Sequence, residues 1–258
     1  MAPDPHAIVE ALRDWAEAAD WVEWVELGGS LGRGAGDALS DVDAGIGVSG
    51  LTEDDPRIAA ALDAAAGFAP TAATLRQRLG DLTHLICVYR DGRQLSLVVF
   101  DAAARTGLAP QSTAVVDKAG RLADPIDPAR WTPGEAARRE WAFLAWIALG
   151  DAARHAARGR PWRALGSLTE ARNHVWSLHA ADLGLTYPQF GAVTVENADA
   201  PAPQGIAATH PADLTGPAVL GAIEALAALL DPYTGADLKP LADAVRPRFA
   251  LLRVDGGR

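Results

Sequence analysis

The sequence has little sulfur and no long apolar segment. Its 258 residues include a single cysteine, Cys87, which excludes an intrachain disulfide. The longest apolar run, residues 141–149, is far shorter than the roughly 20 residues that a membrane-spanning helix needs. Near the N-terminus, Glu10, Arg13 and Asp14 interrupt the apolar pattern and exclude the core of a signal peptide. We therefore expect a soluble, cytoplasmic protein with no membrane partner, although a secreted protein without disulfides stays open.

Positive charge is also scarce. Asp and Glu number 33 against 23 Lys and Arg, and the formal net charge is −10. Proteins that bind DNA or RNA usually show an extended basic patch. Because none is visible here, we expect no nucleic-acid partner. An acidic cleft concentrates cations, which favours a cationic small molecule as substrate; maintenance of solubility is the alternative explanation of the charge.

Two common nucleotide-binding motifs are missing or misplaced. No Gly-Lys-Ser/Thr triplet occurs, which excludes a P-loop. The order Gly45-x-Gly47-x-x-Gly50 matches the dinucleotide fingerprint, but that fingerprint must follow a strand and open a helix. Here Gly45 and Gly47 fall inside a predicted strand, so we interpret the match as chance. The histidines also lack the spacing of a zinc protease.

The patterns that are present divide the chain into two parts. Strand patterns and short helices alternate up to about residue 125, and long apolar helices follow from Thr132. The proline-containing stretch 123–133 is the expected boundary. We predict an α+β domain over residues 1–125, with a mixed sheet and flanking helices, and an all-helical, substrate-binding domain over residues 126–258.

Individual elements follow from periodicity and turn residues. Helices are predicted at 5–20 and 54–67, and strands at 21–27, 42–48, 84–90 and 94–100, the last two joined by an Asp91-Gly92 turn. A second hairpin is predicted from strands 112–116 and 121–123. In the helical part, Thr132 is the expected cap of a helix to 149, and further helices are predicted at 162–183, 219–230 and 238–249.

Residues 28–43, GGSLGRGAGDALSDVD, form the most specific segment. Asp41 and Asp43 begin a predicted strand, where alternation places both carboxylates on one face with Cα atoms about 6.5–7 Å apart. Mg²⁺ is typically held by one or two carboxylates together with substrate phosphates. Upstream glycines let the backbone approach phosphates closely, and Ser30 and Arg33 offer hydrogen-bond donors to them. The segment therefore predicts a magnesium–nucleotide site.

The order Gly-Ser-x-x-Arg-Gly followed by Ser-Asp-x-Asp resembles the signature of the DNA polymerase beta-like nucleotidyltransferases. The short loop between the strands and the helical second half resemble the bacterial enzymes that adenylylate aminoglycosides or lincosamides. The resemblance implies that Asp41 and Asp43 are catalytic Mg²⁺ ligands, and that Gly29, Ser30 and Arg33 bind the nucleotide. It also implies an enzyme that moves a nucleoside monophosphate, expected to be AMP, from ATP or another NTP to a small-molecule hydroxyl, as in antibiotic resistance.

One position departs from this pattern. The family usually carries a third carboxylate on a later strand, as a metal ligand or general base, and Ser96 stands where it is expected. A serine hydroxyl is neither an anionic ligand nor a base at neutral pH. Asp101 would reach the same face only through a bulge. Alternatively, the helical half supplies the base, which is the interpretation we favour, with Glu135, Glu140 and Glu170 as candidates.

Two other functions stay open at this stage. Ser96 is compatible with a catalytically weak, nucleotide-binding regulator. A protein-directed adenylyltransferase of antitoxin type is the other, although antitoxins of that type resemble the first half alone. In the helical part, Glu170 and His174 could face a substrate, and Tyr187 and Phe190 could stack on one; a solvated face and loop packing are the alternatives. The sequence does not determine the acceptor or the oligomeric state.

Overall fold

The computed structural model describes residues 4–52, 54–80 and 82–252. The contacts of the chain group into two compact units that divide between Pro128 and Ala129. The sequence had predicted the division three residues earlier, between 125 and 126. The first unit holds a sheet with helices, and the second is helical. The predicted α+β class, a mixed sheet with flanking helices followed by a helical part, is confirmed.

In its described residues the first unit has six strands and three α-helices. The strands are β1 (Val22–Leu27), β2 (Val42–Val48), β3 (Thr71–Leu79), β4 (Leu82–Tyr89), β5 (Gln94–Asp101) and β6 (Thr113–Asp117). The helices are α1 (Pro5–Ala18), α2 (Gly29–Gly32) and α3 (Pro56–Gly67). The strand order in the sheet is β3-β4-β5-β2-β1-β6. The sheet is mixed because β2 and β5 pair in parallel, while all other neighbours are antiparallel.

The two faces of the sheet differ in character, as strand alternation requires. One face forms the core with apolar side chains of α1 and α3, among them Leu12 and Ile58. In β2 this face carries Val42, Ala44 and Ile46, so the residues between them face the other way. The sheet therefore has one buried apolar face and one face on which polar side chains of β2 and its neighbours lie.

The glycines of the apparent dinucleotide motif fit this sheet geometry. A Cβ atom on Gly47 would lie 2.1 Å from the indole nitrogen of Trp24 on β1. A Cβ atom on Gly45 would lie 3.3 Å from Cγ of Glu26, the residue opposite it in the register. Glycine at both positions thus leaves room for large side chains of the neighbouring strand.

Two predictions for this unit are corrected. The edge strand β3 was not predicted, because almost all of it is exposed on both faces and no apolar alternation marks it. The predicted hairpin of 112–116 with 121–123 is wrong: β6 pairs with β1 instead. The Asp117 carboxylate accepts hydrogen bonds from the backbone nitrogens of Arg121 and Leu122, both at 2.8 Å, and this closes a turn where a strand was expected.

The second unit packs its helices around one apolar core. The α-helices of its described residues are α4 (Glu135–Ala157), α5 (Pro161–Asp182), α6 (Ala192–Asn197), α7 (Gly216–Leu230) and α8 (Lys239–Val245). The core includes Trp146, Leu168 and Leu226. None of the helices in the described ranges is long and apolar enough to cross a membrane.

Helix boundaries in this unit differ from prediction at two places. The N-cap of α4 is Gly134, not Thr132, because the Thr132 nitrogen donates to Ala129 (3.1 Å) and belongs to a preceding short turn. The same helix continues to Ala157, well past the predicted end. The last predicted helix divides into α8 and a 3-10 segment, Arg246–Leu252.

Candidate functional site

The loop between β1 and β2 forms one wall of the candidate site. Gly28 donates its backbone N–H to the carbonyl of Asp43 (2.8 Å), which extends the strand pairing into the loop. Gly29 follows with a φ of +57°, a conformation that favours glycine, and begins the single-turn helix α2. A Cβ atom on Gly29 would lie 2.2 Å from Oδ2 of Asp43. The Gly29 backbone therefore lies directly against this carboxylate.

The two aspartates of the predicted metal site come together at the start of β2. Asp43 faces away from the core and is half-buried, and Asp41 is exposed just before the strand. Burial raises the pKa of Asp43, and the negative charge of Asp41 raises it further. Asp41 directly precedes β2, two residues before Asp43, so the charges of both carboxylates act at the start of this strand.

Three neighbours favour the ionised form of Asp43. His84, a hydrogen bond from Ser96, and the positive charge of Arg33 each lower the pKa of Asp43 and oppose the effect of burial. Arg33 follows α2 directly, so the short helix brings its charge to the carboxylates. Gly29, Arg33 and both aspartates thus share one place in the fold.

The hydroxyl of Ser30 is engaged within its own loop. It bonds to Oγ of Ser40 at 2.9 Å. The Ser40 oxygen accepts from the backbone nitrogen of Asp37 (2.9 Å) and donates to the Asp37 carboxylate (3.1 Å). Because the Ser40 proton goes to Asp37, Ser30 is the donor to Ser40. A phosphate contact by the Ser30 hydroxyl would replace this bond.

The expected third carboxylate position belongs to Ser96 in the folded sheet. Ser96 is the direct partner of Asp43 in the parallel pairing of β2 with β5. Its hydroxyl lies 2.7 Å from Nε2 of His84 on β4, and Nδ1 of His84 lies 2.9 Å from the amide nitrogen of Gln77 on β3. A row of polar side chains therefore crosses four adjacent strands and ends at Asp43.

The sequence analysis missed His84 and Gln77 as parts of the site. His84 lies on a predicted strand, the one before the strand of Ser96. Which side chains it contacts, however, depends on the order of the strands in the sheet. Gln77 belongs to β3, the strand that was not predicted. A half-buried glutamine within a strand that is otherwise nearly all exposed is the local signal of its role.

Asp101 does not replace the missing carboxylate. The pairing of β2 with β5 runs from Val42–Leu95 to Val48–Asp101 without a register shift, so β5 has no bulge against β2. Asp101 therefore shares the face of the core residues of β5, opposite to Ser96. Its carboxylate accepts from the backbone nitrogen of Ala103 (3.1 Å) and caps a short turn. The register thus speaks against the alternative in which Asp101 substitutes through a bulge.

A buried ion pair lies on the same sheet face as Asp43. Glu26 on β1 is 5% exposed and pairs with Arg105, whose guanidinium lies 5.0 Å from the ring centre of Phe100. Burial raises the pKa of Glu26, and Arg105 opposes this effect. Among the described residues, Oε2 of Glu26 has no hydrogen-bond partner. The sequence analysis missed this pair, since Glu26 lies within the apolar stretch of β1.

The helical unit contains the glutamates considered as alternative bases. Glu135 is in the first turn of α4. Glu170 and Glu140 lie near His174. Burial lowers the pKa of His174, and the charges of the two glutamates oppose this effect without cancelling it. Arg172, on the same helix, is buried and donates to the hydroxyl and carbonyl oxygens of Thr209 (2.8 and 2.6 Å). A base from this unit stays a prediction.

The loop aromatics of the helical unit pack against one another. The ring centres of Tyr187 and Trp131 are 5.1 Å apart, and those of Tyr187 and Phe190 are 6.0 Å apart. Phe190 is 61% exposed. Loop packing accounts for Tyr187, whereas Phe190 presents an apolar surface to solvent.

Two solved structures are similar to this chain, at low sequence identity. No family model and no curated protein matches the sequence. The chain is similar to the structure of an aminoglycoside 6-adenyltransferase from Bacillus subtilis, at 11% identity over 96% of this chain and 97% of that one (TM-score 0.37). It is also similar to a nucleotidyltransferase-like protein from Exiguobacterium sibiricum 255-15, at 15% identity over 94% and 80% (TM-score 0.43).

Both neighbours, an adenyltransferase and a nucleotidyltransferase-like protein, are of the class that the sequence motif resembles. Similarity at such identities concerns the fold alone. An activity therefore has to be argued from the residues of the site and tested in solution.

Proposed function

We propose that the protein is a nucleotidyltransferase that moves a nucleoside monophosphate, expected to be AMP, from an NTP to a hydroxyl of a small molecule. The observation that carries this proposal is the pair Asp41 and Asp43 at the start of β2, with the Gly29 backbone against the Asp43 carboxylate. Two carboxylates beside a glycine-rich turn suit a metal-bound polyphosphate. Arg33 adds a positive charge at the same place.

The donor set fits a magnesium–nucleotide complex in which the nucleotide completes the coordination. In the described part of the chain no group of three or more His, Cys, Asp or Glu side chains is arranged to hold a metal. Mg²⁺ commonly binds one or two carboxylates and takes its other ligands from phosphates and water. Asp41 and Asp43 would hold it, and when bound it would neutralise negative charge on the phosphates.

The chain's own residues then have distinct roles in the transfer. Gly29 and Ser30 offer backbone N–H groups, and Arg33 a guanidinium, to the β- and γ-phosphates. The acceptor oxygen forms a bond to the α-phosphorus, and the bond from that phosphorus to its bridging oxygen breaks. Pyrophosphate leaves with the electron pair, and the hydroxyl proton passes to a base or to water.

We assign acceptor binding to the helical unit. Glu140 and Glu170 lie around His174 there, and their charges favour a cationic ligand. An aminoglycoside-like acceptor carries ammonium groups that match this chemistry and the formal net charge of −10. Glu135, Glu140 and Glu170 stay the candidates for the base that we favour, since position 96 carries no carboxylate.

Pyrophosphate release with Mg²⁺–ATP and a panel of aminoglycosides tests the proposal. We expect Asp41→Asn to reduce release to background, because the variant loses an anionic metal ligand. Asp63→Asn is the matched control, since Asp63 is an exposed aspartate on α3, away from the site. Wild-type rates in the Asp41→Asn variant would overturn the mechanism.

A second candidate function is a nucleotide-binding regulator with little turnover. The neutral Ser96 beside Asp43 favours it, because general-base catalysis contributes roughly 10²–10⁴-fold and no carboxylate occupies that position. Calorimetric titration with Mg²⁺–ATP, run beside the pyrophosphate assay, separates the two. Binding without turnover on any acceptor favours the regulator, and label from ATP appearing in a protein favours a protein-directed enzyme.

A further inference from the structure

The row of polar side chains beside Asp43 is joined by hydrogen bonds from Gln77 through His84 to Ser96. Gln77 pairs with His84 across β3 and β4, and Ser96 pairs with Asp43 across β5 and β2. His84 is diagonal to Ser96, because Val98 is its direct partner in β5. The path therefore uses one residue from each of four neighbouring strands, with contacts of 2.9 and 2.7 Å in its first two steps.

His84 joins Ser96 to Gln77. Nε2 of its ring faces the Ser96 hydroxyl, and Nδ1 faces the amide nitrogen of Gln77. Ser96 is in turn the direct partner of Asp43 in the parallel pairing, and a hydrogen bond from Ser96 lowers the pKa of the Asp43 carboxyl. A change at His84 or Gln77 therefore reaches Asp43 through Ser96.

Burial along the path supports a structural purpose for it. Gln77, His84, Ser96 and Asp43 are all half-buried. Gln77 is so although its strand, β3, is otherwise nearly all exposed. Ordered partners restrict the rotamers of a side chain, and each bond on this path fixes the next. The end of the path is one of the two carboxylates of the proposed metal site.

We propose that Gln77, His84 and Ser96 are positioning residues that hold the Asp43 carboxylate in the orientation in which it receives a metal–nucleotide complex. This inference rests on the proposed nucleotide site and adds residues that act through Asp43. Groups that orient metal ligands typically contribute about 10–100-fold to metal affinity or activity. The expected effect is therefore on binding of the metal–nucleotide complex, before any chemistry.

Two substitutions of His84 test this role by binding. His84→Phe keeps the ring shape and removes both hydrogen bonds, and we expect it to weaken Mg²⁺–ATP binding about 10–100-fold in calorimetric titration. His84→Gln places an amide nitrogen near the position of Nε2, so it should recover most of the affinity. Ser96→Ala, which breaks the path at Asp43, should match His84→Phe. Binding of Mn²⁺ alone, followed by its electron paramagnetic resonance signal, is a second readout without nucleotide.

Gln94→Leu is the matched control for these variants. Gln94 lies on the same face of β5 as Ser96, two residues away and half-buried, and its side chain makes no hydrogen bond within the described residues. We expect Gln94→Leu to bind Mg²⁺–ATP like the wild type. Thermal unfolding of each variant separates loss of fold from loss of binding, and His84→Gln keeps the test decisive if His84→Phe is unstable.

The outcomes distinguish this inference from the proposed function. The positioning role is supported if the wild type binds Mg²⁺–ATP, His84→Phe binds it more weakly and His84→Gln recovers most of the affinity. The positioning role is overturned if folded His84→Phe and Ser96→Ala bind Mg²⁺–ATP as tightly as the wild type while Asp43→Asn does not. That result would leave the proposed nucleotide site intact. A wild-type protein that binds neither Mg²⁺–ATP nor Mn²⁺ overturns the proposed function and this inference together.

Discussion

The contact between Gly29 and Asp43 gives a sharp test of the site, because the chain contains a matched control nearby. Both Gly29 (φ +57°) and Gly34 (φ +71°) have left-handed backbone conformations. A Cβ atom on Gly29 would lie 2.2 Å from Asp43 Oδ2, whereas a Cβ atom on Gly34 would meet nothing within 4 Å. Alanine at either position therefore adds the same backbone strain, and only Gly29→Ala adds the collision with the carboxylate.

The magnitudes of the two effects can be estimated separately. A non-glycine residue in the left-handed region costs about 1–2 kcal/mol, so both variants should lose about that much free energy of unfolding. Real Cβ contacts essentially never fall below 3.0 Å. The Asp43 oxygen must therefore move by about 1 Å in Gly29→Ala, and a misplacement of about that size can reduce catalysis roughly 100-fold.

Urea unfolding and pyrophosphate release measure these effects independently. We expect similar unfolding free energies for Gly29→Ala and Gly34→Ala, but a roughly 100-fold lower transfer rate for Gly29→Ala alone. Calorimetric binding of Mg²⁺–ATP should divide the variants in the same way. Equal transfer rates in the two folded variants would refute the argument that the Gly29 backbone sets the position of the carboxylate.

Two further predictions concern the charges of the site. Ser96→Asp introduces a carboxylate beside Asp43 and should raise the rate of pyrophosphate release at saturating Mg²⁺–ATP, by up to about 10²–10⁴-fold where the proton acceptor limits the reaction; a folded variant that is saturated with nucleotide and shows no gain would contradict this. Asp43→Asn should stabilise the protein at neutral pH without metal. Because the folded-state pKa of Asp43 is raised, its favourable contribution is complete below the ordinary aspartate pKa and is lost as the pH rises through the folded value. Urea unfolding of both proteins at pH 7 and near pH 3.5 should show a difference only at the higher pH.

Most of the first unit could be predicted because its central strands have one buried face. Alternating burial in β4 and β5 and the Asp91-Gly92 turn between them are local signals, and the structure follows them closely. The edge strand β3 has no such signal, since Leu75 and Leu79 are each about half exposed, at 51% and 50%. Its place in the sheet depends on hydrogen bonds to β4, which the sequence pattern of β3 does not reveal.

The candidate site divides in the same way into local and non-local parts. Asp41 and Asp43 are two residues apart at the start of β2, and from this spacing alone strand alternation predicts that their carboxylates share a face. The approach of Gly29 to Asp43 depends on the path of the loop, and the His84–Gln77 contact on the order of four strands. Ser96 lies between these cases: its position was anticipated from the family pattern, but the partners of its hydroxyl were not.

The environment of Ser96 changes the meaning of the missing carboxylate. A serine there without a polar neighbour would leave its hydroxyl without a hydrogen-bond partner in the sheet. Here the Ser96 hydroxyl lies 2.7 Å from Nε2 of His84, and Nδ1 of His84 lies 2.9 Å from the amide nitrogen of Gln77. Position 96 is thus a neutral position whose side chain is hydrogen-bonded.

This arrangement also limits where the acceptor proton can go. The side chain paired with Asp43 at position 96 is a hydroxyl, which is not a base at neutral pH. The site therefore combines two carboxylates that suit a metal–nucleotide complex with a neutral third position that cannot act as a base. We therefore expect efficient transfer to need a base other than residue 96, and a chain without one would bind its nucleotide and turn it over slowly.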